Sequence, residues 1–266
     1  MSRSRKTATA VRAAMGWTAV AGFTLASPGP AAVADSRDAR DSRALRAPAV
    51  TIVPGGEGIL AVAGYTGPRL GAGSVLTLTA PGGSTVTGTP LGAREYRGAV
   101  AADGGSGTYT FTGPSAGRPW QGRGFPFVLA VPADAVPGTR LPGCALRLSD
   151  AEGRRQARGT CSVTVGMPGP TLTRPESGVP LHARPEISGT AYPGARITVR
   201  DKDDRTVCTT TAAADGTWTC TPRPAFPAGA NRLQATAGLN GVSATSEQIR
   251  ITVRPRTVGA PDRRRQ

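Results

Sequence analysis

Aromatic side chains make up only 5% of this 266-residue chain, and it has a single histidine, His182. That histidine sits in the proline-flanked segment 179–185, V-P-L-H-A-R-P, and no Gly-x-Ser-x-Gly elbow occurs anywhere, so histidine-assisted serine chemistry has no residues to run on. A cysteine nucleophile would need a free thiol beside His182. The four cysteines, Cys144, Cys161, Cys208 and Cys220, lack the short Cys-x-x-Cys knuckle of a zinc site, so they are expected as disulfides and no metal site is expected. Acidic residues number 17, most in turns or near the start, which leaves little for a glycosidase carboxylate pair. The expectation is a protein that is not an enzyme and carries no cofactor; a hydrolase hidden in residues 48–166 is the remote alternative.

Long apolar runs are also missing. The longest, residues 13–26, follows the basic start Arg3, Arg5, Lys6 and Arg12 and precedes the small-residue site Ala32-Val33-Ala34. It is shorter than the roughly 20 residues a bilayer span needs, so residues 1–34 are read as a secretory signal peptide, and no membrane span is expected. A secreted, extracellular protein follows. Residues 35–47 mix charges with little apolar content and are expected as a flexible leader.

What is abundant is glycine (36) and proline (24), which suits short strands and tight turns. From residue 48 onward, short apolar or alternating runs recur between Gly and Pro breaks: 50–53, 59–62, 75–79, 109–112 and 125–131. That texture predicts a β-sandwich over 48–166. Cys144 and Cys161 are equidistant from Glu152-Gly153, so a regular hairpin sets them directly opposite each other. The Pro/Gly segment 167–170 reads as a linker. Beyond it, 208–220 (C-T-T-T-A-A-A-D-G-T-W-T-C) reads as a disulfide-closed hairpin around Asp215-Gly216. Its cysteines are centred on Ala214, so a Cys208–Cys220 bridge there demands a longer loop or a bulge. Trp218 is the large side chain available as core anchor of this domain.

The runs P-E-I-S-G-T-A-Y-P-G-A-R-I-T-V (185–199), D-G-T-W (215–218), N-R-L-Q-A-T-A (231–237) and I-R-I-T-V (249–253) resemble the bacterial immunoglobulin-like (Big-type) repeat of secreted and surface proteins. The resemblance covers about residues 169–255. It implies a small antiparallel sandwich serving as a spacer, stalk or adhesive module, with no catalytic residues to carry over. The chain departs from that pattern by holding one copy and by adding a cysteine pair. The expected architecture is all-β: two antiparallel β-sandwich (Ig-like) domains in tandem, 48–166 and 171–255, and a basic flexible tail at 256–266.

The formal charge is +15, and removing the four cations of the signal segment leaves +11, nearly all arginine, since Lys202 is the only lysine after Lys6. Scattered arginine without interleaved aromatics argues against a specific nucleic-acid surface. A weak electrostatic contact with anionic wall polymers fits better. Trp120, in the polar loop R-P-W-Q-G-R-G (118–124), is the candidate for ligand contact, with Tyr96 and Arg123 beside it; the alternative is that Trp120 folds back as a lid. Asp201, Asp203 and Asp204 either hold calcium or form a solvated turn. The expected function is an extracellular binding, adhesive or structural module whose partner is a protein or a polysaccharide, with carbohydrate binding through Trp120 as the second reading.

Overall fold

Period-two alternation marks the strands that build the cores: in Val75–Thr79 and Ser106–Phe111 every second residue is buried and its neighbours are not. In a pleated strand such a pattern gives one face to a core and one to solvent. The computed structural model describes residues 44–114 and 118–255. The signal peptide, most of the leader and the basic tail lie outside the described residues.

The first domain contains β1 (Val50–Ile52), β2 (Glu57–Val62), β3 (Val75–Thr79), β4 (Thr85–Gly88), β5 (Tyr96–Val100), β6 (Ser106–Phe111) and β7 (Phe125–Ala130). It continues with β8 (Arg140–Leu141), β9 (Ala145–Ser149), β10 (Arg155–Thr160) and β11 (Val163–Val165). A five-stranded sheet runs β10-β9-β3-β6-β5, and two three-stranded sheets run β2-β7-β4 and β1-β11-β8. Leu76, Leu78 and Tyr109 of the large sheet share one buried cluster with Leu60, Phe127 and Leu129 of β2 and β7 and with Val163 and Val165 of β11. The opposed sheets meet closely at Gly107, where a Cβ would lie 3.0 Å from the Phe127 ring.

The second domain contains β12 (Pro180–Leu181), β13 (Ile187–Thr190), β14 (Arg196–Arg200), β15 (Thr206–Thr211), β16 (Thr217–Cys220), β17 (Gly229–Leu239), β18 (Val242–Thr245) and β19 (Ile249–Val253). One sheet runs β12-β19-β17-β14-β15 with β18 on β17; the other is the pair β13-β16. Ile197, Val199, Leu233, Ala235 and Ala237 from the first sheet bury against Ile187 and Trp218 from the second. Most pairs are antiparallel, but the first strand of each domain lies parallel to the last, β1 on β11 and β12 on β19. Parallel neighbours need a long crossover, and here the rest of the domain supplies it.

Three readings of the sequence need correction. The leader expected to be flexible up to residue 47 is in place from residue 44: Ala44 bridges Arg158, Arg46 bridges Ala63, and Leu45 is 5% exposed. Gly159 makes room for it, since a Cβ there would sit 2.3 Å from the Leu45 carbonyl oxygen. The linker segment is not free either: Met167 belongs to the second core, and Asn240 Nδ2 donates to the Pro137 carbonyl at 3.0 Å beside it. The third concerns 208–220. The turn forms, with Gly216 N–H donating to the Ala213 carbonyl and Ala213 N–H to the Thr217 carbonyl, but no hairpin follows. β15 pairs with β14 and β16 with β13, so the two arms enter different sheets. The non-local partners Ile197, Val199 and Ile187 claim both strands because that is where Trp218 and Val207 can be buried. The Cys208–Cys220 disulfide therefore joins the two sheets of the sandwich.

Candidate functional site

Trp120, Tyr96 and Arg123 do come together, at one end of the first sandwich. Tyr96 opens β5 and Trp120 lies in the turn before β7. Their rings are 5.4 Å apart and near perpendicular, and both meet Phe125. The Arg123 guanidinium lies 5.3 Å above the Tyr96 ring. The two rings are core, Trp120 2% and Tyr96 8% exposed, while Arg123 stays exposed above them. The Trp120 indole N–H donates at 2.8 Å to the hydroxyl of Ser74, which is itself fully buried and donates to the Gly71 carbonyl at 2.7 Å. Satisfying that N–H inside is what lets the ring leave water. Trp120 thus folds back as a lid on the sandwich, and its ring offers no exposed face to a sugar.

The phenols around it are committed in the same way. Tyr96 donates to the Pro119 carbonyl, and Tyr109 to that of Pro126 while accepting the Leu91 N–H at 3.2 Å. Burial pushes Tyr109 up to about 12. Burial also raises Tyr96, with Arg123 pulling it down and Glu95 pushing it up. The void between Leu45, Tyr65, Trp120 and Phe125 is only about 10 Å³, room for one water at most.

The acidic turn at 201–204 is engaged by its own backbone and by neighbouring cations. Asp201 Oδ1 accepts from the N–H groups of Asp203 and Arg205, both at 2.9 Å, so it caps its own turn. Lys202 Nζ lies 3.2 Å from Asp203, and Arg232 lies 3.9 Å from Asp204. No cluster of three metal-ligating side chains occurs among the described residues. His182 is exposed, and its Nδ1 accepts the Arg184 N–H at 3.2 Å.

Shallow open grooves lie on the second domain. One, of about 520 Å³, runs along Thr206, Thr209, Thr210, Thr219 and Arg223 over the Cys208–Cys220 bridge. Another, of about 440 Å³, lies between Ser188, Thr190, Thr211 and Thr217. Both follow from the splaying of β15 from β16, which leaves threonine edges facing a gap.

Residues 180–253 form a two-layer sandwich with Trp218, 3% exposed, at its centre and with parallel first and last strands. Residues 181–254 match the bacterial Ig domain. The match ends one residue after β19, in line with the Big-type resemblance of this stretch. No curated protein matches the chain. Among solved structures, a biofilm-associated protein (BSP domain) is similar at 16% identity and a TM-score of 0.28, over 82% of this chain. This chain spans only 30% of that one's length. BcpA, the major pilin subunit of Bacillus cereus, is similar at 12% identity and a TM-score of 0.34, covering 79% of this chain and 68% of its own. The seventh ScaB type I cohesin of Pseudobacteroides cellulosolvens follows at 13% identity and 0.32, over 47% of this chain and 93% of its own. Likeness at this level says nothing about what this chain binds.

One arrangement escaped the sequence reading. Arg147 of β9 and Arg158 of β10 stand directly opposite each other. The count that sets Cys144 opposite Cys161 sets these two residues opposite as well, so the signal was present.

Proposed function

We propose that the protein is an extracellular, non-enzymatic module of adhesive or structural kind, binding a surface polymer or protein through its sheet faces. The observation that carries this reading is the burial of the Trp120–Tyr96–Phe125 cluster. The grouping best suited to ligand contact is spent on holding the first sandwich closed, which leaves flat β-faces and threonine grooves as the surface on offer. The Ig domain and the disulfide in each domain support an oxidising, extracellular setting. A pull-down of the full chain on purified envelope and polysaccharide fractions, at low and high salt, tests it. Retention on at least one fraction is expected, and absence from all of them overturns the reading.

A further inference from the structure

The nineteen strands hold nine arginines and a single carboxylate, Glu57. Four of the arginines, Arg97, Arg147, Arg155 and Arg158, lie on the five-stranded sheet, whose strands, like those of the large sheet of the second domain, carry no aspartate or glutamate. Register places all four on the outer face. One cross-strand row reads Arg158, Arg147, Thr77, Thr108, Ala99, and the next reads Arg155, Ser149, Val75, Thr110, Arg97. At about 4.8 Å per strand, each row is roughly 19 Å long. The face is a floor of threonines with arginine at its margins.

Like charges directly opposite on neighbouring strands are unfavourable, yet Arg147 faces Arg158. The carboxylates of the turn between the two strands are engaged elsewhere: Asp150 and Glu152 pair with Arg154, at 3.1 and 3.3 Å. Arg147 is held in place by neutral acceptors, its Nε donating to Ser149 Oγ at 3.1 Å and its Nη2 to the Gly153 carbonyl at 3.0 Å. Arg158 has no side-chain partner among the described residues. The second domain repeats the device in Arg232 opposite Arg250, but there Asp204 stands 3.9 Å from Arg232. Among the described residues, the pair with no carboxylate against it is the one in the first domain.

We propose that this face binds a carboxylated polysaccharide, with Arg147 and Arg158 together holding its carboxylates and Thr77, Thr108 and Thr110 meeting its hydroxyls. The proposal rests on the reading of the protein as an extracellular binding module and names its partner and site. A guanidinium fork matches a carboxylate with two parallel hydrogen bonds, and an anion between the two arginines turns their repulsion into attraction. The aromatic residues of β5 and β6 all point inward, so neutral sugars have no ring to stack on; charge and hydroxyl chemistry must recognise the ligand. A uronate polymer supplies both on every ring.

Isothermal titration of the full chain with polygalacturonate, poly(glycerol phosphate) and dextran provides the test. Polygalacturonate is expected to bind, more weakly as salt rises, and Arg147→Gln/Arg158→Gln to weaken it at least about tenfold; dextran is expected not to bind. A charge-matched control, Arg69→Gln/Arg94→Gln, which alters exposed arginines off this sheet, should stay within about twofold. Near-ultraviolet circular dichroism checks the fold of both variants. Should the first one melt early, amide shifts of the wild-type chain replace it, and these must centre on residues 77, 108, 147 and 158. Equal loss in both variants reduces the effect to net charge and overturns the site, as does tighter binding of the phosphate polymer, or no polygalacturonate binding. In the last case retention on an envelope fraction would still stand, so the wider functional reading fails separately.

Discussion

Replacing Trp120 distinguishes a structural plug from a ligand platform, and the size of the effect follows from its surroundings. A buried aromatic removes about 150–250 Å² from water, worth roughly 4–6 kcal/mol at about 25 cal/mol per Å². That agrees with the roughly 3–5 kcal/mol measured for truncating core aromatics to alanine. Trp120→Ala should therefore cost the first domain about 3–5 kcal/mol, a large share of the stability a domain commonly has. Trp120→Phe keeps the contacts with Tyr96 and Phe125 but strips the fully buried Ser74 hydroxyl of its donor, so about 1–3 kcal/mol is expected. The assay is urea unfolding followed by fluorescence in a Trp17→Phe/Trp218→Phe background, where Trp120 alone reports, with Trp120→Ala and Trp120→Phe, which hold no tryptophan there, compared with their parent by far-ultraviolet circular dichroism. In the native single-tryptophan protein, iodide should quench Trp120 hardly at all. An alanine variant within about 0.5 kcal/mol of its parent, or free quenching by iodide, would falsify the burial argument.

Other expectations concern particular contacts. Gly189→Ala should cost about 3 kcal/mol or more, or unfold the second domain, because the new methyl would lie 1.9 Å from the Thr171 carbonyl oxygen and 2.9 Å from Trp218; thermal melting reads this out. Removing the inter-sheet bridge with Cys208→Ala/Cys220→Ala should lower the second domain's stability by about 3 kcal/mol and leave the first domain's transition in place, as calorimetry would show. Tyr109 is held up to about 12, so its contribution is intact below the ordinary phenol value near 10 and is lost as pH rises through 12. Alkaline unfolding in that window should be milder in Tyr109→Phe. Asp215 accepts the backbone N–H and then the hydroxyl of Thr217, which hold its carboxyl below the usual range. Its contribution is present above about 3.9 and fades as pH falls through the depressed value, so Asp215→Asn should flatten the acid limb of a melting-temperature profile.

Local counting was reliable where one strand folds back on the next. Cys144 and Cys161 are opposite, as their distances from Glu152-Gly153 require, because β9 and β10 keep a nearly regular ladder. The same logic failed at 208–220, since an Asp-Gly turn fixes only the turn, and each arm found a better partner elsewhere in the chain. The leader was misjudged for a related reason. Leu45 is one apolar residue among charges, and nothing local shows that Gly159 leaves space to bury it. Trp120 looked exposed because its loop is polar, and only Ser74, 46 residues away, makes burial of the indole possible. The arginine face needed no more than the register already counted for the cysteines, extended across three further strands that the sequence does not order.

The central claim is that this protein binds a polymer without changing it. Its most direct test is to hold the full chain on polygalacturonate, elute with salt, and compare the polymer's length and reducing ends before and after. Retention with an unaltered polymer is the result expected. Shorter chains or new reducing ends would show catalysis and contradict the account.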